Sequence, residues 1–131
     1  MKNIVIDLDS TLTLESDLPY EKKEVNESVK TKLLEYKQKG FNITIFTSRN
    51  MRTYEGDISK INANTLPIII NWLEEKQIPY DGIVVGKPWC GFEGFYIDDR
   101  AIRPSEFANL TYEEIEDLLK RETEIANGQT K

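Results

Sequence analysis

A length of 131 residues with 39% apolar and 31% charged side chains is typical of one soluble globular domain. The net charge of −6 argues against nucleic acid and anionic membranes as partners, and no apolar stretch or leader sequence predicts membrane insertion or secretion. We therefore expect a cytoplasmic protein. Because the sequence has no histidine and a single cysteine, its chemistry should depend on carboxylates, lysine, arginine and hydroxyl groups.

The first predicted strand ends in an acidic pair. An apolar run at residues 4–6 is followed by Asp7 and Asp9, and alternation along a strand would direct both carboxylates to the same side. At about 4 Å and an effective dielectric of about 20, their repulsion is on the order of 4 kcal/mol. The pair therefore requires a bound cation or a raised pKa, and either is typical of an active site.

Strands and helices then alternate. Residues 12–25 are polar and contain proline, which predicts a loop or small hairpin over the end of the strand; we call this segment the flap. Asn26 and Gly40 predict the two ends of a helix, and a second strand follows at residues 41–47. After a polar loop, a further helix is expected to start or kink at Pro67.

The C-terminal third continues the alternation. Residues 82–85 predict a third strand, and residues 95–97 predict a fourth that ends in an acidic pair. Thr111 and Glu114 form the sequence signature of a capping box before a last helix. The pattern predicts an α/β fold: a Rossmann-like three-layer sandwich with a mostly parallel central sheet in a single domain, residues 1–122, followed by a polar tail at residues 123–131.

Polar residues follow the carboxyl ends of the predicted strands, where ligands bind in open parallel sheets. These residues are Asp7, Asp9, Thr47, Lys87, Asp98 and Asp99. Carboxylates can hold Mg²⁺, while a lysine and a hydroxyl group neutralise the oxygens of a phosphate ester, so that another carboxylate can attack phosphorus. The set therefore indicates phosphoryl chemistry.

These residues and their order along the chain resemble the four sequence motifs of the haloacid dehalogenase-like phosphatases. The resemblance implies that Asp7 is the nucleophile and Asp9 the general acid and base. It also implies Mg²⁺ bound by Asp7, Asp98 and the main-chain carbonyl of Asp9, with Asp99 acting through water or outside direct coordination. Thr47 and Lys87 would bind the phosphoryl group.

The loops after Thr47 and around Lys87 are similar to those of a small subgroup associated with bacterial capsular polysaccharide biosynthesis. This similarity implies a phosphorylated sugar, polyol or amino-alcohol as the substrate. Polar and aromatic side chains of these loops are candidates for binding the rest of the ester: Ser48, Arg49, Asn50, Arg52, Trp89 and Arg100.

The flap is too short to be the helical cap domain of larger family members, so we expect a capless enzyme. An uncapped crevice either admits a bulky ester, such as a nucleotide-linked sugar, or is covered by a neighbouring subunit of a homo-oligomer. Two alternatives to an enzyme stay open. A receiver domain uses similar residues, but it places its adjacent acidic pair after the first strand; an inactive phosphate-binding module would not need Asp9 as a proton donor.

Overall fold

The computed structural model describes residues 2–128, and the chain forms two compact units, Met1–Trp89 and Cys90–Lys131. The first unit contains three strands: β1 (Asn3–Ile6), β2 (Asn42–Thr47) and β3 (Gly82–Val85). They form a parallel sheet in the order β1-β2-β3, in which Ile6 pairs with Ile45 and Thr47 with Val85. This confirms the predicted mixed α/β class with a parallel sheet.

Three helices complete the first unit: α1 (Glu27–Gln38), α2 (Ile58–Asn64) and α3 (Leu66–Glu75). Asn26 occupies the N-cap position of α1, as predicted, although its side chain makes no capping hydrogen bond. Pro67 lies in the first turn of α3, where a proline costs no helical hydrogen bond, so it starts a separate helix.

Alternation along β2 decides which side of the sheet is buried. Ile43, Ile45 and Thr47 are at most 1% exposed, so one face of β2 lies in the core. The opposite face of the sheet, which carries Val5 and Val84, is more exposed. Because Thr47 ends β2 on the buried face, its hydroxyl group is held where the core meets the carboxyl edge of the sheet.

The flap is a small closed hairpin, as expected from its sequence. Thr13 and Val25 form an antiparallel bridge, and the Leu14 amide donates a hydrogen bond of 2.9 Å to the Glu24 carbonyl. Between these ends lies a single 3₁₀ turn, Tyr20–Lys22. The indole N–H of Trp72 in α3 donates to the Lys23 carbonyl at 2.9 Å, which attaches the flap to the core.

The second unit contains α4 (Pro104–Asn109) and α5 (Tyr112–Ala126). The capping box of Thr111 and Glu114 is present at the start of α5, as predicted. The sequence did not predict α4, in which Phe107 is buried. Helix α5 continues four residues into the predicted tail, and residues 129–131 of that tail lie outside the described residues.

The predicted fourth strand is wrong. Residues 95–97 form neither a strand nor a helix, and Phe95 and Ile97 are 76% and 88% exposed. An apolar run of this kind favours extended backbone, but a strand also requires a hydrogen-bonded neighbour. Among residues 2–128, the ladders of the parallel sheet join only β1, β2 and β3.

Within the same described range, no helix combines the length and apolar character needed to cross a bilayer.

Gly86 shapes the turn between β3 and Lys87. Its φ is +85°, a conformation that disfavours side chains, and a Cβ atom there would lie 2.6 Å from the Ile58 Cδ1 atom. We expect Gly86→Ala to lower the free energy of unfolding by about 2 kcal/mol, because the left-handed conformation alone costs about 1–2 kcal/mol and Ile58 must also move. Urea denaturation would measure the loss.

Gly40→Ala is the matched control, since Gly40 has a φ of +90° and no atom within 4 Å of the added Cβ position. It should lower the free energy of unfolding by about 1 kcal/mol. Equal losses for the two variants would show that the contact with Ile58 does not constrain this turn.

Candidate active site

The loop after β1 folds tightly around one carbonyl group. The Leu8 carbonyl accepts hydrogen bonds from the amides of Thr11, Leu12 and Thr13 at 3.3, 2.9 and 3.2 Å. The side chains of Leu8 and Leu12 are fully buried. The buried leucines therefore fix the backbone that carries the acidic residues, and β1 itself ends at Ile6, just before them.

Asp7 lies between a hydroxyl group and a lysine. The Thr11 hydroxyl donates to Asp7 Oδ2 at 3.2 Å, and Lys87 Nζ lies 3.7 Å from Asp7 Oδ1. Lys87 is positioned by its own backbone, because its amide donates to the Thr47 carbonyl at 3.1 Å. The structure thus brings residues at the ends of all three strands together, with Lys87 in contact with both Asp7 and Thr47. The catalytic roles of Asp7, Thr47 and Lys87 stay predictions.

The environment of Asp7 shifts its protonation. Burial raises the pKa of Asp7 above its ordinary value of 3.8, chiefly because a charged carboxylate loses hydration there. The Lys87 charge, the Leu8 amide and the Thr11 hydroxyl oppose this rise, whereas the negative charge of Asp9 adds to it. The predicted repulsion between Asp7 and Asp9 is thus present, although burial is the larger effect.

Asp9 has a different partner. Arg49 holds its carboxylate with two hydrogen bonds, from Nε to Oδ2 at 3.1 Å and from Nη2 to Oδ1 at 2.8 Å. The Arg49 side chain is 1% exposed, and its amide donates to the Thr47 hydroxyl oxygen at 3.1 Å. The Arg49 Cζ atom lies 4.1 Å from the centre of the Tyr20 ring. Two carboxylates separated by one residue therefore occupy distinct electrostatic environments.

Most other candidate substrate-binding residues of the first unit lie around the loop after β2. Asn50 holds this loop together, because its side chain accepts from the Thr65 hydroxyl at 2.6 Å and donates to Thr53 at 3.2 Å. Ser48 is half-buried and Arg52 is exposed. Trp89, at the end of the unit, is 38% exposed. Among these three, Arg52 and Trp89 present the most surface to a ligand.

The remaining predicted residues, Asp98, Asp99 and Arg100, are exposed residues of the second unit. The Asp98 carboxylate accepts a hydrogen bond of 2.8 Å from the Arg100 amide, which closes a local turn. Within residues 2–89 of the first unit, His, Cys, Asp and Glu side chains form no group of three that could hold a metal ion. The metal set of Asp7, Asp9 and Asp98 therefore stays a prediction.

Comparison with known proteins decides the family. The model of the haloacid dehalogenase-like hydrolases matches residues 4–120. The chain belongs to this family. Its fold and its small size, without a cap domain, agree with a capless member.

One solved structure is very similar to this family member. A crystal structure of a target protein from Vibrio cholerae has 56% sequence identity and a TM-score of 0.92, and the match covers 93% of this chain and 99% of that one. A chain in the structure of the Pnkp1/Rnl/Hen1 RNA repair complex matches 70% of this chain and 28% of its own, with 23% identity and a TM-score of 0.47. No curated protein matches the sequence significantly.

Sequence reasoning about this hydrolase missed two contacts. The motif around Asp7 and Asp9 did not single out Thr11, yet its hydroxyl donates a hydrogen bond to Asp7. Tyr20 was not singled out at all, since an isolated tyrosine in a polar flap carries no signal of its position. Only the folded flap places its ring on Arg49.

The raised pKa of Asp7 predicts an effect on stability. The folded protein binds the Asp7 proton more tightly than the unfolded chain does. The resulting contribution to the free energy of unfolding is fully present below the unfolded-state pKa of 3.8, and it is lost as the pH rises through the higher folded-state pKa. Ionised Asp7 therefore destabilises the metal-free protein at neutral pH. We expect Asp7→Asn to raise the free energy of unfolding at about pH 7 in EDTA, with a gain that shrinks toward zero below the ordinary pKa.

Urea denaturation at a series of pH values would measure this gain. Asp117→Asn is the control, because Asp117 is exposed on α5 and should give no comparable pH-dependent gain. An Asp7→Asn protein that is equally stable or less stable than the wild type at neutral pH would contradict the expected sign.

Proposed function

We propose that this hydrolase is a Mg²⁺-dependent phosphomonoesterase that works through a phosphoaspartate on Asp7. The observation that supports the proposal is that the two carboxylates have different cationic partners. Asp7 has a lysine 3.7 Å away that can neutralise a bound phosphoryl group, whereas Asp9 is held by the forked hydrogen bonds of Arg49. Paired carboxylates in distinct environments are typical of a nucleophile and a separate acid or base.

In the first step, an Oδ atom of Asp7 attacks phosphorus and the bond from phosphorus to the ester oxygen breaks. Protonated Asp9 donates its proton to the leaving alkoxide, so the alcohol departs neutral. Lys87 and the Thr47 hydroxyl are the proposed partners of the non-bridging oxygens. The Thr47 hydroxyl oxygen accepts from the Arg49 amide, so its own O–H would be the group that donates to a phosphoryl oxygen.

In the second step, the Asp9 carboxylate removes a proton from water, and the resulting hydroxide attacks phosphorus. The bond between phosphorus and Asp7 breaks, which releases inorganic phosphate and restores the Asp7 carboxylate. Asp9 is again protonated, so it is ready for the next ester. One carboxylic acid thus serves both steps, as acid and then as base.

The oxygen donors of the first unit suit Mg²⁺, a hard cation that prefers carboxylate and carbonyl ligands. The Asp7 carboxylate is one donor. The main-chain carbonyl of Asp9 is the second proposed donor, as the family resemblance implies, and its side chain is held by Arg49. Asp98 is the proposed third ligand. The bound ion would supply positive charge that offsets the negative charge of the phosphoryl group.

We further propose a cytoplasmic role on a phosphorylated sugar, polyol or amino-alcohol, free or nucleotide-linked, in capsular polysaccharide biosynthesis. The similarity of the loops after Thr47 and around Lys87 to those of the capsule-associated subgroup supports this substrate class. The shortness of the flap, where larger family members carry a helical cap, supports an ester that extends beyond the site or a subunit that covers it.

Phosphate release with Mg²⁺, measured across sugar, polyol, amino-alcohol, nucleotide-linked and aryl phosphates, tests the activity. We expect turnover of at least the activated aryl phosphate, together with a preferred natural ester. Asp7→Asn should lower the rate by at least about 10³-fold, because the covalent route is lost.

Asp117→Asn, on exposed α5, should retain the wild-type rate and is the matched control. A wild-type protein that binds phosphate but hydrolyses no ester would instead support the phosphate-binding module. Unchanged hydrolysis by Asp7→Asn would remove Asp7 from the role of nucleophile.

Metal removal provides an independent test. EDTA treatment should abolish phosphate release, and added Mg²⁺ should restore it. Without the cation, the negatively charged carboxylates would repel the negatively charged phosphoryl group. Full activity after exhaustive chelation would overturn the assignment of Mg²⁺ as the cofactor. Isothermal titration of the chelated protein with Mg²⁺ would detect binding without relying on turnover.

A further inference from the structure

We propose that Arg49 is a positioning residue that orients the Asp9 carboxylate for proton transfer, and that Tyr20 of the flap holds Arg49 in place. This inference rests on the proposed function and adds to it a link between the flap and the acid and base group. It also gives Arg49 a role other than the direct substrate contact expected from the sequence.

The hydrogen bonds between Arg49 and Asp9 fix an orientation. The donors Nε and Nη2 each engage a different carboxylate oxygen, at 3.1 and 2.8 Å, so the planes of the two groups are locked together. A single point charge such as lysine could not impose this geometry. Each carboxylate oxygen retains a second lone pair, which leaves Asp9 able to exchange a proton with a leaving group or with water.

The backbone and the core fix Arg49 in turn. The Arg49 amide donates to the hydroxyl oxygen of Thr47, which is 1% exposed. The Arg49 side chain is also 1% exposed. Its backbone is therefore attached to the end of β2, and burial holds the guanidinium in a narrow set of conformations. Catalytic groups need this kind of support, because a displacement of about 1 Å can cost about 10²-fold in rate.

One donor of Arg49 indicates that the arrangement is not optimised for stability. Nη1 is buried and has no hydrogen-bond partner among residues 2–128, which is unfavourable for a charged group. The Tyr20 ring, 4.1 Å from Cζ, offers the guanidinium a favourable cation–π contact. A buried arginine with an unpaired donor requires an explanation, and a positioning role supplies one.

Tyr20 can hold Arg49 because the flap is attached at both of its ends. The bridge between Thr13 and Val25 closes the hairpin, and the Trp72 indole donates to the carbonyl of Lys23 just after the 3₁₀ turn. Tyr20 as a whole is 37% exposed, so it contacts Arg49 without being fully buried. The flap thus contacts Arg49 through Tyr20, and Arg49 in turn fixes the orientation of the Asp9 carboxylate.

The dependence of kcat/KM on the leaving group tests the proposal, since kcat/KM reports the steps up to the first departure of alcohol. Arg49→Met removes the fork but keeps similar bulk. For an alkyl phosphate, whose alkoxide needs a proton, we expect kcat/KM to fall by about 10²-fold. For an activated aryl phosphate, which leaves without a proton, we expect a loss of less than about fivefold.

Three comparisons make the test specific. Arg49→Lys should behave like Arg49→Met, because it restores the charge but not the fork. In an Asp9→Asn background, Arg49→Met should cause less than about a threefold further loss, because the group that it positions is absent. Arg121→Met, at an exposed site on α5, should leave both esters unaffected.

Tyr20 variants test the contribution of the flap. Tyr20→Leu should lower kcat/KM by about tenfold for the alkyl phosphate and leave the aryl phosphate nearly unchanged, whereas Tyr20→Phe keeps a ring and should match the wild type. If Arg49→Met does not fold, Tyr20→Leu decides whether the same leaving-group signature exists.

Equal losses for both esters, or no loss for either, in the Arg49 variants would overturn the positioning role. A wild-type protein that hydrolyses neither ester would overturn the proposed function and this inference together, which distinguishes the two failures. A Tyr20→Leu protein with wild-type kcat/KM for the alkyl phosphate would overturn the contribution of the flap.

Discussion

The parallel pairing of β1, β2 and β3 is the constraint on which the rest of the site depends. Ile6 pairs with Ile45 and Thr47 with Val85, so residues that follow each strand meet at one edge although they are far apart in sequence. The hydrogen bond from the Lys87 amide to the Thr47 carbonyl continues this alignment beyond the last paired residues. A slip of one residue in β2 would turn Thr47 away from the buried face, and the site would lose both its hydroxyl group and the anchor of Arg49.

The site carries a cost in stability for its chemistry. Burial of Asp7 and the nearby charge of Asp9 both disfavour the ionised carboxylate, the form that the proposed nucleophile needs. Lys87 and the Thr11 hydroxyl reduce this cost only in part. Arg49 neutralises the other carboxylate, while its buried Nη1 has no hydrogen-bond partner within residues 2–128. Such unfavourable terms persist where function requires them, because the surrounding hydrophobic core supplies the compensating stability.

The flap of this capless hydrolase contacts the candidate site through one side chain. The closed hairpin places the Tyr20 ring on the arginine that holds Asp9. Because the Trp72 indole attaches the flap to α3, packing in that helix helps to fix the position of Tyr20. Arg52 and Trp89 are the exposed candidates for substrate contact in the first unit.

Local sequence determined the elements and much of the chemistry. Period-two burial in β2, the proline that starts α3, the capping box of α5 and the acidic pair after β1 are each encoded within a few residues, so they were predictable. The fourth strand was not, because residues 95–97 favour extended backbone but a strand also needs a partner. The contacts of Arg49 with Asp9 and Tyr20 depend on side-chain packing between distant segments, which no local pattern specifies. The sequence therefore determined which chemical groups are present, and the tertiary structure alone decided which carboxylate each cation holds.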